Sequence, residues 1–131
     1  DKKKLEKLRR GLKKGSAFAF EILIDCSKIE GWEDQDYIKY LKEANEWLQN
    51  KFTGQEVLSS IIHMDEGKPH LHITFRYFNT DLKKWNQRGL KDKNLTNLNY
   101  LLKDFEREIG NKYGLKKGDN DKLKQKLYNG L

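Results

Sequence analysis

The chain has 131 residues, with 27 Lys and Arg against 20 Asp and Glu, a net charge of +7, and hydrophobic and charged residues at 36% each. A chain of that length holds one modest core and not two, and its basic balance suits a polyanionic partner, which puts nucleic acid first. No apolar run approaches a membrane span, the Lys-rich start has no apolar signal region behind it, and a single cysteine, Cys26, excludes an intramolecular disulfide framework and any multi-cysteine zinc module. The expectation is a soluble, cytoplasmic protein with no membrane partner. Because the first residue is Asp1 rather than Met, the N-terminal part of the domain is expected to be missing.

Residues 1–14 carry eight positive and two negative charges, with Leu5, Leu8 and Leu12 at helical spacing; this predicts a short basic amphipathic helix, ended by Gly15, whose charges are either a solvated face or a DNA contact. From Ala17 to Asp25, Phe18, Phe20, Ile22 and Ile24 fall on one side at the two-residue period of a strand. Residues 27–32 read as loop. Asp34 is placed to act as an N-cap, and Tyr37, Tyr40, Leu41, Ala44, Trp47 and Leu48 then follow the stripe of a helix of about four turns. Gly54 breaks it. Residues 56–64 are rich in β-branched types and predict a second strand, and Pro69 opens a third over 70–78. In that third strand Leu71, Ile73, Phe75 and Tyr77 face one way, and His70, His72, Thr74 and Arg76 the other. The two strands read as an antiparallel hairpin.

Residues 79–93 show no clean period. From Asn94 onward Leu95, Leu98, Leu102, Phe105 and Ile109 restore the helical stripe, which ends before Gly114, and residues 119–131 read as a last short helix. The order implies an α+β domain: an antiparallel sheet with helices packed mainly on one face.

All three histidines of the chain, His63, His70 and His72, fall within ten residues. His70 and His72 project from the same sheet face, and a tight hairpin brings His63 beside them. A trio of imidazoles binds a divalent transition metal while leaving coordination positions open, as in catalytic rather than closed structural sites, and such an ion polarises a phosphate. A lone strand histidine is ordinarily a hydrogen-bonded surface or core residue; three at this spacing favour the metal. Asp65 and Glu66 occupy the connecting turn, where acidic residues are also commonplace. Arg76 shares the face of His70 and His72, well placed to pair with a phosphate. Lys83, Lys84 and Arg88, with Trp85 among them, are either the wall of a DNA cleft or a solvated loop. Trp32, Trp47, Phe18 and Phe20 sit on regular apolar stripes and are expected in the core rather than as platforms for bases.

The run His63-Met64-Asp65-Glu66-Gly67-Lys68-Pro69-His70-Leu71-His72 resembles the HxDExxPHxH signature of plasmid mobilisation relaxases of the MobV, or Pre, family, within the HUH endonuclease superfamily. Residues 19–27 resemble that family's strand before the motif, and residues 51–54 its helix end. Residues 98–118, closing in YGLKKG, are similar to its following helix and GLxRG-like end. The resemblance covers residues 15–118. It implies a single HUH relaxase-type nuclease domain over 1–131 with a palm-like antiparallel sheet, and an enzyme that nicks one DNA strand at a plasmid origin of transfer by transesterification. Such an enzyme remains joined to the 5′ phosphate and initiates conjugative mobilisation. The resemblance further implies manganese or magnesium held by His63, His70 and His72, with Glu66 in the catalytic surroundings.

In that family the nucleophile is a histidine or tyrosine upstream of the first strand, whereas this sequence has no histidine there and no tyrosine before Tyr37. Another HUH branch, the rolling-circle replication initiators, carries a tyrosine on a helix after the motif, often as YxxK, and Tyr100-Leu101-Leu102-Lys103 has that form. With Tyr100 as nucleophile the chain would be such an initiator, although a YxxK spacing also arises by accident in a Lys-rich amphipathic helix. A third reading, from a different class, is a DNA-binding module that retains the metal site without the chemistry.

Overall fold

Apolar alternation over the first strand is matched in the computed structural model of the chain, where β1 spans Ala17–Asp25. The structure describes residues 17–26, 28–64, 69–115 and 122–129. After β1 come α1 (Asp34–Lys51), β2 (Gln55–His63), β3 (His70–Asn79), β4 (Lys84–Trp85), α2 (Gln87–Asp92), α3 (Leu98–Phe105) and β5 (Lys122–Asn129). A π-helical turn over Glu106–Gly110 and a 3-10 turn over Asn111–Tyr113 prolong α3, and Gly114 closes it in the left-handed conformation that glycine adopts without penalty. The basic helix expected at 1–14 and the turn at 65–68, with Asp65 and Glu66, lie outside the described residues.

The strands form one antiparallel sheet in the order β2-β3-β1-β5, with β4 added to the end of β3, so the fold is α+β as the element order implies. Along β3 burial alternates strictly: Leu71, Ile73, Phe75 and Tyr77 are buried, while His70, His72, Thr74, Arg76 and Phe78 are half-buried on the other face. Phe20 stacks on Phe75 with ring centroids 5.2 Å apart, and Phe52 at the end of α1 closes against both. The apolar stripe of α1 lies on this face. So does α3, whose buried Phe105 meets Tyr40 and Trp47 of α1 at 6.0 and 5.3 Å. Among the described residues, the opposite face of the sheet carries no helix.

Several expectations need correction. The N-cap of α1 is Glu33 rather than Asp34; its backbone N–H donates to Asp36 Oδ2 at 2.9 Å, satisfying the turn from one residue earlier. The last long helix begins at Leu98 rather than Asn94, because Asn97 caps it, its Oδ1 accepting from the Tyr100 N–H at 3.2 Å. Residues 122–129 form a strand, not a helix: Lys122, Lys124 and Lys126 alternate with Leu123, Gln125 and Leu127, and this two-residue period pairs with the edge of β1 from Asp25↔Lys122 to Phe20↔Leu127. Phe18 is not in the core. A β-bulge between Ala17 and Ala19 interrupts the alternation, and its ring lies against Trp85 and Arg76. Phe20 and Trp47 are core residues, and Trp32 is half-buried against the core.

The aperiodic stretch 79–93 is organised by buried amides. Gln55 Oε1 accepts from Asn79 Nδ2 at 2.7 Å and Asn86 Nδ2 at 3.1 Å, while Gln55 Nε2 donates to the Arg76 carbonyl at 2.9 Å. Polar groups satisfied in this way order a segment that has no hydrophobic period.

Candidate metal centre

The histidines stand where β2 ends and β3 begins. His63 is paired directly with His70, and His72 lies between Ile61 of β2 and Leu23 of β1. Residues opposed in a ladder share a face, so all three imidazoles project from the face away from the helices. Their ring centroids are 4.8 Å (His63–His70), 5.0 Å (His63–His72) and 4.8 Å (His70–His72) apart, a nearly equilateral triangle. One ring nitrogen from each lies within 4.8 Å of the other two. Bonds of about 2.1 Å to one ion separate two donors by at most about 4.2 Å, so small ring rotations close the set. The donors are three imidazole nitrogens on a half-buried, accessible face, a combination that fits a cation with open coordination positions.

A carboxylate that the sequence reading passed over completes the cluster. Glu21 Oε1 on β1 lies 3.3 Å from His72 Nδ1, and Thr74 Oγ1 donates to its other oxygen at 3.5 Å. A carboxylate on the outer nitrogen of a ligating histidine orients the ring, fixes its tautomer and raises its basicity. The available signal was a charged residue in the middle of AFEILID, at the position that alternation puts opposite Phe20 and Ile22. Asp25 faces His70 in the register. Cys26 follows directly; burial, and then the charge of Asp25, pushes its thiol up to about 12, so without a metal it is a neutral thiol near neutral pH.

Arg76 shares the histidine face. Its guanidinium is held by Glu56, with Nη1 to Oε2 at 3.2 Å, and lies over the Phe18 ring at 5.6 Å. Lys83 and Lys84 are exposed in the turn and at β4, and Arg88 is exposed on α2, paired with Asp92 at 3.2 Å. At about 3.3 Å per residue, this corner is about 20 Å down β3 from His72. The fold thus gathers the histidines at one end of the open face and Lys83 and Lys84 at the other, with Arg76 between them about 13 Å from His72.

Tyr100 is not brought to the histidines. It is exposed on α3, which belongs to the helical layer on the opposite side of the sheet. Tyr37, Tyr40, Tyr77 and Tyr113 also belong to the core side, and burial pushes the Tyr77 and Tyr113 hydroxyls up to about 12.

A sheet covered by helices on one face and carrying three convergent imidazoles on the other defines an α+β domain with an open, all-histidine candidate metal centre. The family model described as plasmid recombination enzyme matches residues 1–129, and the chain belongs to that family, the Pre/Mob type that its histidine motif resembles. It is similar to a plasmid recombination enzyme of Lactiplantibacillus plantarum, with 22% identity over 121 residues, covering 91% of this chain and 33% of that relative. The chain therefore spans about a third of the length of the curated relative it matches. No solved structure matches the chain significantly. Among the described residues, no helix is long and apolar enough to cross a membrane.

Proposed function

We propose that this domain is the strand-nicking body of a relaxase acting in plasmid mobilisation, cutting one DNA strand at an origin of transfer by transesterification. The observation that carries the reading is the convergence of His63, His70 and His72 on the open sheet face of a plasmid recombination family member. Three imidazole nitrogens suit a borderline transition cation better than one that demands oxygen ligands, which favours manganese over magnesium. Bound there, the cation supplies Lewis-acid polarisation of the scissile phosphate.

The chain's own residues have distinct parts in this reading. With Glu21 accepting from His72 Nδ1–H, Nε2 keeps its lone pair for ligation. Glu66, in the turn of the motif, is the carboxylate that takes up a proton. Arg76, Lys83, Lys84 and Arg88 hold the phosphates of the strand. In the reaction a nucleophile of the protein gives its proton to Glu66 and bonds to phosphorus as the bond to the 3′ oxygen breaks; the leaving 3′ oxygen gains a proton to become a hydroxyl, and the 5′ phosphate stays joined to the protein. The placement of Tyr100 in the helical layer lends no support to the replication-initiator reading.

The test uses the full-length protein and single-stranded oligonucleotides covering the origin of its own element, with manganese or with chelator, resolved on a denaturing gel. A protein-linked product is expected with manganese only, and His70→Ala or His72→Ala should abolish it while retaining much of the salt-sensitive DNA affinity. Undiminished nicking by either variant would refute the metal role. Binding without cleavage by the wild-type protein would assign the domain to origin recognition instead.

A further inference from the structure

Phe18 and Phe78 lie outside the core, and Trp85, packed against its edge, joins them at the end of the sheet remote from the histidines; each of the three is half-buried. Trp85 meets Phe18 at 5.9 Å and 56° and Phe78 at 5.7 Å and 78°, tilted and edge-on rather than stacked. The Arg76 guanidinium completes the group over Phe18 at 5.6 Å, held by Glu56, and its buried Nε has no hydrogen-bond partner among the described residues. Lys83 and Lys84 stand exposed at the same corner; with Arg76 they outnumber the acidic groups there, Glu56 and Asp81. The buried Gln55, Asn79 and Asn86 amides beneath fix β4, and with it Trp85, against β3.

From these observations we infer that Phe18 and Trp85, with Arg76, form a stacking site for unpaired nucleobases, about 13 to 20 Å along the sheet from His72 by the rise of β3. The choice of a single nucleic acid strand as the occupant rests on the reading of this domain as one that acts on DNA. Aromatic faces beside cations that track phosphates are what sequence-tolerant single-strand binding requires: each base offers a π face, and the phosphates answer the positive charge. A duplex, whose bases are already stacked on one another, has no use for such rings. A strand held here and at the histidines is fixed at two points several nucleotides apart, which sets the direction in which it crosses the sheet.

The experiment measures binding of a labelled oligo(dT) by the full chain without metal and in chelator, alongside an abasic oligomer of the same length. Oligo(dT) is expected to quench tryptophan fluorescence. Trp85→Ala should weaken oligo(dT) binding by about tenfold, the usual scale for losing one stacked base, and leave abasic binding unchanged. Trp85→Phe should keep most of the affinity and lose the quench. Phe18→Leu, which preserves apolar volume and removes the ring face, should weaken oligo(dT) alone and guards against misfolding of the Trp85→Ala variant. Equal weakening of the dT and abasic oligomers, or oligo(dT) binding without a quench in the wild-type chain, would overturn the inference. Loss of manganese-dependent origin nicking with the base-dependent binding intact would instead overturn the proposed function alone.

Discussion

Replacing Glu21 tests whether the carboxylate on β1 positions the metal centre. Its Oε1 lies 3.3 Å from His72 Nδ1, and the two side chains are 20% and 31% exposed. The contact is longer than the usual N–H···O distance of about 2.9 Å, and water reaches part of it, so the effect belongs at the low end of the range for groups behind a ligating histidine. A loss of about tenfold in cation affinity, or about 1.4 kcal/mol, follows for Glu21→Leu. Glu21→Gln retains an acceptor oxygen for Nδ1–H and should lose less. Manganese binding is measured by following the free ion in an electron paramagnetic resonance titration at constant pH. The nitrogen chemical shifts of His72, recorded in the metal-free protein, report the tautomer: Glu21→Leu should mix the two forms, whereas Glu21→Gln should keep the proton on Nδ1. If Glu21→Leu binds manganese as tightly as the wild type and leaves the His72 tautomer unchanged, Glu21 is only a neighbour and the positioning argument fails.

The remaining predictions concern the scaffold. Cys26, buried with its thiol pushed up to about 12, should resist a thiol-reactive disulfide reagent at neutral pH and react fully after denaturation; rapid native-state labelling would contradict its burial. A hydrogen bond from Lys51 at 3.0 Å, aided by the charges of Lys51 and Arg107 and opposed by burial, holds the Asp104 carboxyl below its ordinary 3.8. A depressed carboxyl stabilises the fold above its ordinary value and ceases to do so as pH falls through the lowered one. Lys51→Met should therefore reduce the thermal midpoint at neutral pH and have a vanishing effect in strong acid; an equal effect at both would locate the role of Lys51 in packing. Phe75 is fully buried, with Phe20 and Phe52 rings at 5.2 and 5.1 Å, and Phe75→Ala should cost about 3–5 kcal/mol in urea unfolding, a loss well below that range excluding a central place for the ring.

Much of the scaffold is legible in the sequence because it rests on local periods. Phe20, Ile22 and Ile24, the α1 stripe from Tyr37 to Leu48, and the alternation of Leu71, Ile73 and Phe75 each state which side of an element is apolar, and burial follows that statement. The metal cluster is legible for the same reason: only six residues separate His63 from His70, and His72 is two residues on.

Where the physics is non-local the pattern is silent. Glu21 meets His72 across 51 positions of sequence, and only the β1·β3 register brings them together. Residues 122–129 alternate well enough for a strand, but what makes them one is the edge of β1 waiting to be paired. Phe18 obeys the apolar period and still leaves the core, because a bulge turns the chain there. Tyr100 shows the limit most plainly: the spacing of Tyr100 and Lys103 is a property of one helix, whereas the distance from that helix to the histidines depends on which face of the sheet its apolar side covers. Periodicity along the chain therefore determined β1, α1 and β3 and, apart from Phe18, their buried sides. The pairing of strands and the docking of helices decided which polar sides meet, since those contacts join residues far apart in sequence.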